Sequence, residues 1–150
     1  MVDKIHTSTG KDDWETPPDF FAKLDAEFNF TLDACAEQAT AKCKSYFTKE
    51  QNALQQKWTG RVFCNPPYSK NGQQDAFVKK AYKSVLNGDC ELVVLLIPAR
   101  TDTMRWHEWI FGKATEIRYL RGRLTFWDNG KPAEANAQFP SAVVIFRANQ

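Results

Sequence analysis

A run of six apolar residues, LVVLLI at 92–97, constrains the fold of this 150-residue chain more than any other feature of its sequence. The run is too short to span a bilayer, and it is typical of a strand covered on both faces of a parallel sheet. Before it, QQDAFVKKAYKSVLNG at 73–88 repeats apolar residues at helical spacing and ends at Asn-Gly, which predicts an amphipathic helix. With a short strand predicted at RVFCN, 61–65, the three segments form a right-handed βαβ unit.

The remaining segments extend this unit into a larger sheet. DDWETPPDFFAKLDAEF predicts a helix over about 17–28 with Thr16 as its N-cap. FTLDACA predicts a short strand that enters a tight turn at 33–36. After a helix around 103–112, EIRYLRGRLTFWDNG and SAVVIF predict two more strands, antiparallel at one side of the sheet. We therefore expect a single α/β domain with a mixed, mostly parallel sheet.

Composition and cysteine spacing exclude several classes of protein. The polar first residues lack the apolar region of a signal peptide, so we expect a soluble cytoplasmic protein that does not interact with membranes. Cys35, Cys43, Cys64 and Cys90 lie far apart with no CxxC pair, which argues against a zinc site and against a disulfide scaffold. We expect reduced thiols and no bound metal.

Charge is unevenly distributed along the chain. Residues 1–60 have a net charge of −3, whereas residues 61–150 have +5 and all seven arginines. Five of these arginines fall between positions 100 and 123, and the guanidinium group suits bidentate contact with phosphate or guanine. An ordinary solvated face would show the same cluster, so the charge alone leaves both interpretations open.

The segment NPPYS at 65–69 offers an unusual set of hydrogen-bond acceptors directly after a predicted strand. Asn65 has a side-chain carbonyl, and Pro66, which lacks an N–H, offers only its backbone carbonyl. Two fixed acceptors suit an exocyclic amine, because accepting both hydrogens withdraws the nitrogen lone pair from the ring of the base. Tyr68 could stack on the base, and a base in a duplex would have to flip out to reach the pocket.

Three segments that carry polar side chains directly follow predicted strands: DACA, NPPYS and PARTD. In open α/β sheets, ligands bind outside the carboxyl ends of the strands. We therefore expect the three segments to form one site.

Several of these motifs together resemble a known family. NPPYS after a strand is similar to the catalytic motif of amino-methyltransferases that use S-adenosylmethionine. The segments DDWETP, FTLDACA, WTGRVFCNPPYS, LLIPARTDT, GRLTF and FPSAVVIF, in this order over nearly the whole chain, resemble the small phage-type DNA N-6-adenine methyltransferases, or Dam family. The resemblance implies a compact Rossmann-like methyltransferase fold with helices on both sides of the sheet and an antiparallel C-terminal strand. It also implies adenine methylation in double-stranded DNA, in a restriction-modification, anti-restriction or phage setting.

The resemblance implies roles for residues in three groups. The catalytic loop would be Asn65, Pro66, Pro67 and Tyr68. The S-adenosylmethionine site would comprise Trp14, Thr16, Pro17, Asp33, Ala34, Cys35, Ala36 and Asn52, with the Asp33 carboxylate pairing with the ammonium group of the cofactor. The target-base side would comprise Ser69, Arg100, Thr101, Asp102 and Arg123.

This sequence departs from the family pattern in two places, and simpler readings remain for two residues. It has no glycine-rich GxG loop, so LDACA has to serve instead, and a neutral Asn52 stands where an acid is expected, with Glu50 as the alternative contact to the cofactor adenosine. Asp33 could instead be a helix N-cap, and Trp14 could be a core residue.

Other functions remain open from the residues alone. The same pair of acceptors, Asn65 and Pro66, suits cytosine N4, an amine of an RNA base or a protein glutamine amide. A protein of a different class, a nucleic-acid-binding module, could keep the fold without the activity. No separate target-recognition domain fits in the chain, so the loops 69–75 and 128–139 would have to read the DNA. We expect a short or loosely defined recognition sequence, read by a monomer or by a homodimer that pools two surfaces.

Overall fold

A six-stranded mixed sheet forms the centre of the protein. The computed structural model describes residues 14–68 and 73–148. The described helices are α1, Pro18–Phe28, and α2, Gln73–Leu86, with a three-residue 3₁₀ helix at Ala53–Gln55 and a π-helical turn at Trp106–Ile110. The described strands are β1 Leu32–Asp33, β2 Ser45–Tyr46, β3 Gly60–Cys64, β4 Cys90–Pro98, β5 Glu116–Tyr119, β6 Trp127–Asp128, β7 Lys131–Pro132 and β8 Ser141–Arg147.

The strand order of the large sheet is β2-β1-β3-β4-β8-β5. Strands β2, β1, β3 and β4 pair in parallel, and β8 is antiparallel to both of its neighbours, β4 and β5. The predicted α/β class is confirmed, with its mostly parallel sheet and antiparallel C-terminal strand. Because β1, β3 and β4 are parallel, their carboxyl ends at Asp33, Cys64 and Pro98 lie at the same edge.

Strand β4 shows why the continuous apolar run indicated a sheet covered on both faces. Alternate residues of a strand point to opposite faces. Val93, Leu95 and Ile97 pack in the cluster that contains α2 and the buried Trp58 and Trp106. Leu92, Val94 and Leu96 pack in the second cluster, with the aromatic side chains of α1 and β3. Each fully buried aliphatic side chain contributes roughly 1.5–3 kcal/mol to the free energy of folding, so the clusters on both faces of the sheet stabilise the fold.

Several predicted boundaries and elements differ from the structure. The first helix begins at Pro18, its N-cap position is Pro17, and the Thr16 side chain does not cap it. The helix predicted over 103–112 is present but shorter: residues 104–110 are helical, with a π-helical turn at Trp106–Ile110 of which Trp106 and Ile110 are buried. The strand predicted over 116–130 is divided into β5 and a separate hairpin, β6–β7, in which Asn129 and Gly130 both have positive φ. This conformation fits a tight two-residue hairpin turn.

No described helix has the length and apolar character required to cross a membrane. The four cysteines are free thiols: Cys64 and Cys90 are buried, and Cys35 and Cys43 are half-buried. Among the described residues, no group of three or more His, Cys, Asp or Glu side chains could hold a metal ion.

Among the glycines that the structure describes, Gly60 at the start of β3 is the one whose replacement we expect to cost most. Its φ is +76°, and an added Cβ would lie 2.5 Å from Thr31 Oγ1. That oxygen cannot move freely, because it accepts a hydrogen bond from the Arg61 N–H and donates one to the Arg61 carbonyl.

Gly60→Ala should therefore lower the free energy of unfolding by about 1–3 kcal/mol more than Gly112→Ala, measured by urea denaturation. Gly112 is a matched control, because its φ is +80° and no atom lies within 4 Å of the added Cβ. Equal losses in the two variants would show that the contact with Thr31 contributes nothing.

Candidate active site

A cleft of about 370 Å³ opens at the carboxyl ends of β1 and β3. Its volume lies within the roughly 300–1,000 Å³ typical of small-molecule sites. The wall is partly apolar, with Phe47, Ala53, Leu54 and Phe77, and partly polar, with Asp33, Thr48 and Asn65. The cleft can therefore accept a molecule with both an apolar body and polar ends.

The side chain of Asn65 is held by the N-terminal segment. Its Nδ2 donates to the Trp14 backbone carbonyl at 2.9 Å and to Thr16 Oγ1 at 3.0 Å. Its Oδ1 is buried and has no hydrogen-bond partner in the described part of the chain. Because a buried polar atom without a partner costs about 1–3 kcal/mol, this oxygen is a candidate acceptor for a ligand.

Asp33 is buried, and its carboxylate organises the loop that follows β1. Oδ1 accepts from the Cys35 N–H at 3.3 Å, and Oδ2 accepts from the Lys42 N–H at 3.0 Å. Burial raises the pKa of Asp33 to about 6, against the opposing effect of these two hydrogen bonds. No helix begins directly after Asp33, since the next element is β2, so the prediction that Asp33 is a helix N-cap is wrong. The carboxylate instead braces the 34–42 segment along one wall of the cleft.

Asn52 lies at the opposite wall in a left-handed backbone conformation with φ 55°. Its side chain accepts from the Leu54 N–H at 3.3 Å and caps the 3₁₀ helix that holds Ala53 and Leu54 against the cleft. Glu50 is exposed and is not part of the cleft wall. Of the two predicted alternatives for the adenosine contact, only Asn52 is therefore in reach of a ligand in this cleft.

The hairpin β6–β7 closes one side of the cleft by pairing with the N-terminal segment. Glu15 and Trp127 exchange two backbone hydrogen bonds at 2.9 and 3.0 Å. The Glu15 carboxylate also accepts from the Gly130 N–H at 3.3 Å. As a result, Asp128 and Asn129 at the tip of the hairpin line the cleft together with Trp14 and Thr16.

Comparison with known proteins identifies the family. Residues 4–150 match the DNA N-6-adenine-methyltransferase (Dam) family. The chain belongs to this family. It is 34% identical over 154 residues to the DNA N-6-adenine-methyltransferase of Haemophilus phage HP1 (strain HP1c1), covering 97% of this chain and 85% of that protein. It is 38% identical over 65 residues to the Escherichia coli (strain K12) protein named "Putative methyltransferase YfdM", covering 38% of this chain and 71% of that one.

The cleft of this Dam-family protein brings together most of the predicted cofactor-binding residues. Trp14, Thr16, Asp33, Ala34, Cys35, Ala36 and Asn52 line it, as do Asn65 and Pro67 from the predicted catalytic loop. Pro17 does not line it, because this residue begins the turn into α1. Trp14 is half-buried: it lines the cleft and also packs against the core cluster that contains the aromatic side chains of α1 and β3.

Tyr68 lies beside the cleft rather than in its wall. Its ring packs against Phe126 and Phe139, with centroids 5.8 and 5.4 Å away. The hydroxyl is buried without a partner among the described residues, and burial raises its pKa above the ordinary value. The Tyr68 side chain therefore remains neutral. Pro66, two residues earlier in the predicted catalytic loop, is buried.

Two of the predicted target-base residues, Arg100 and Arg123, lie on the same side as Tyr68, outside the cleft. The Arg100 guanidinium lies 5.6 Å from the centre of the Phe139 ring, and Arg123 donates to the Ala137 carbonyl at 3.4 Å. Thr101 and Asp102 are exposed in the turn after β4. Ser69 lies outside the described residues.

Two members of the arginine cluster are engaged within the protein. Arg118 donates to both carboxylate oxygens of Glu27, at 2.7 and 2.6 Å, and ties β5 to α1. Arg105 pairs with Asp75 at the start of α2. These two arginines therefore have a structural role, whereas Arg100, Arg121 and Arg123 are exposed and could either be solvated or contact DNA.

Several residues that line the cleft were missed from the sequence. They are Glu15, Glu37, Lys42, Thr48, Lys49, Gln73, Asp128 and Asn129. Asp128 and Asn129 had a detectable signal, because DNG is a strong hairpin-turn sequence, but they were assigned to the loop 128–139 that would read the DNA and not to the cleft. Gln73 is the first residue of α2, and the other five belong to irregular segments, where no periodicity indicates which way a side chain points.

Proposed function

We propose that this Dam-family enzyme, an adenine-specific DNA methyltransferase, takes the methyl group from S-adenosylmethionine and uses Asn65 to hold the N6 amine of the target adenine. The observation that carries the proposal is the buried Asn65 Oδ1. It lacks a partner among the described residues and stands at the cleft where the cofactor would bind.

The cleft fits S-adenosylmethionine in chemistry. Asp33 at one end suits the ammonium group of the methionine part, and the small Ala34, Cys35 and Ala36 leave room for it. The apolar wall made by Phe47, Ala53 and Leu54 suits the adenine ring, next to Asn52 as a polar contact. When bound, the cofactor supplies an electrophilic methyl group on a sulfonium centre.

Catalysis requires the chain to orient the amine rather than to supply a strong base. In this proposal, Asn65 Oδ1 accepts one N6 hydrogen and the Pro66 carbonyl accepts the other, so the nitrogen lone pair is available for direct in-line attack on the methyl carbon. The N–C bond would form as the carbon–sulfur bond breaks, S-adenosylhomocysteine would leave, and N6 would then lose one proton to solvent. Positioning of this kind contributes several kcal/mol to a barrier when the reacting atoms are held about 3–3.5 Å apart. No cysteine follows a proline in the chain, so no covalent prolyl-cysteine route is proposed.

The DNA would lie against the side of the protein that carries Tyr68, Phe139 and the exposed Arg100, Arg121 and Arg123. Arginine side chains bind phosphate in a sequence-independent manner, and the adenine would flip out of the duplex to reach Asn65. We propose a single domain without a separate recognition domain, and therefore a short or loosely defined recognition sequence. A soluble enzyme in the cytoplasm of a bacterial or phage-infected cell fits this activity.

Product identification tests the proposal. The purified protein is incubated with labelled S-adenosylmethionine and duplex DNA from a strain without adenine or cytosine methylation, and the DNA is digested to nucleosides for mass spectrometry. We expect N6-methyladenine, and parallel reactions with total RNA and with single-stranded DNA should give less product. Methylation of cytosine N4, or methylation of RNA alone, would contradict the assigned substrate.

A further inference from the structure

The orientation of the Asn65 amide is fixed by the N-terminal segment and not by its own strand. A backbone carbonyl can only accept a hydrogen bond, so the Trp14 carbonyl at 2.9 Å requires the NH₂ group of Asn65 on its side. Thr16 Oγ1 accepts the second hydrogen at 3.0 Å. With both donors engaged, the carbonyl oxygen necessarily faces away from residues 14–16.

We propose that Thr16, together with the Trp14 carbonyl, is a positioning element that presents Asn65 Oδ1 to the target amine. This inference rests on the proposed function, because it assigns a role to a side chain that acts through Asn65. Thr16 is 3% exposed and Asn65 is 9% exposed. Water therefore offers little competition for the hydrogen bond between their side chains.

The segment that carries Thr16 is held in place by two anchors. On one side, Glu15 pairs with Trp127 through two backbone hydrogen bonds and with Gly130 through its carboxylate. On the other side, the next residue, Pro17, is the N-cap of α1, and its carbonyl accepts from the Phe21 N–H at 3.0 Å. An oxygen held from both sides can set the position of a partner more precisely than a mobile one can.

Two other roles for Thr16 would have different structural or kinetic consequences. The sequence suggested a helix N-cap, but the Thr16 side chain makes no capping hydrogen bond. A cofactor contact, implied by the family resemblance, would raise the KM for S-adenosylmethionine and leave kcat almost unchanged. A positioning role predicts a lower kcat and an almost unchanged KM for S-adenosylmethionine, because Asn65 acts on the amine of the bound adenine and not on the cofactor.

The test compares Thr16→Val with Thr16→Ser. Valine has the shape of threonine without the oxygen, and serine keeps the oxygen. We expect Thr16→Val to lower kcat about 10-fold, as for the removal of one buried hydrogen bond, with the Kd for S-adenosylmethionine changed less than about 3-fold. Thr16→Ser should retain kcat within about 3-fold. Thermal unfolding is measured for both variants to confirm that they are folded.

The outcomes separate this inference from the proposed function. If the unmodified protein forms no N6-methyladenine, the proposed function fails. If it is active and Thr16→Val keeps its kcat, or Thr16→Ser loses as much as Thr16→Val, the positioning role is overturned.

A second measurement does not depend on the Thr16→Val variant being folded. In NMR spectra of the unmodified protein, the two Asn65 side-chain amide protons, assigned with Asn65→Ala, should exchange with solvent far more slowly than those of the exposed Asn87. Equally fast exchange would overturn the proposed hydrogen bonds.

Discussion

Replacing Asn65 with alanine is expected to lower kcat about 10²–10³-fold, the loss typical of removing one preorganised hydrogen-bonding group from an active site. The binding of S-adenosylmethionine should change little, because the alanine removes an acceptor for the target amine and leaves Asp33 and Asn52 in place. Single-turnover methylation assays and calorimetry measure the two effects separately. A comparable loss of cofactor affinity would mean that Asn65 serves the cofactor and not the base.

Asn65→Asp provides a more discriminating version of the same test. A carboxylate in this position would face the Trp14 carbonyl, which can only accept, so the ionised side chain should be repelled from its place. A protonated carboxyl group could donate to that carbonyl and keep its second oxygen for the amine, and burial favours the protonated form. The ratio of variant to unmodified activity should therefore rise as the pH is lowered from about 8 to about 6. A ratio that is independent of pH would contradict this reading of the amide.

Replacing Asp33 has the second largest expected effect. Asp33→Ala leaves the Cys35 and Lys42 N–H groups without their acceptor and removes the buried negative charge at the end of the cleft. We expect the Kd for S-adenosylmethionine to rise about 100-fold, because the variant removes a charge-assisted hydrogen bond and also loosens the loop that supports it. Asp33→Asn keeps the volume of the side chain and one acceptor oxygen, so its effect separates the charge from the bracing of the loop. An Asp33→Ala protein with unchanged affinity would remove Asp33 from the cofactor site.

The raised pKa of Asp33 gives this prediction a pH dependence with a definite sign. The pKa is raised from 3.8 to about 6, so folding favours the protonated form. The stability it contributes is fully present below pH 3.8 and is lost as the pH rises through about 6, by up to about 3 kcal/mol in the free protein. An ammonium group binds the ionised form, so affinity for S-adenosylmethionine should increase as the pH rises through about 6. Calorimetry between pH 5 and about 7, below the titration of the amino group itself, should show this increase, and Asp33→Asn should abolish it.

The elements with strong periodicity could be predicted from the sequence. α2 was recognised because its apolar residues repeat at the spacing of a helix, and β4 because six consecutive apolar residues are typical of a strand covered on both faces. The position of Asn65 followed from two prolines that end β3. Once β1, β3 and β4 were known to be parallel, the convergence of Asp33 and Asn65 at one edge followed from topology alone.

What the sequence did not reveal depends on interactions between distant residues. The hydrogen bonds from Asn65 to Trp14 and Thr16 span 51 and 49 positions, and no local pattern encodes them. Thr16 was assigned as an N-cap because it precedes two prolines and a helix, and tertiary contact overrode that local preference. Arg118 was grouped with possible DNA contacts, and only the structure reveals its two-oxygen pairing with Glu27.

The position of β8 between β4 and β5 has a consequence for how the chain reaches its folded state. Residues 141–147 pair with both β4 and β5, so these two strands remain unjoined until residues 141–147 have been synthesised. Until then, β4 exposes seven residues of unpaired backbone, Leu92–Pro98, on the most apolar strand of the protein. Such an edge readily recruits strands from other nascent chains, so premature termination before residue 141 would yield aggregates rather than a smaller folded enzyme.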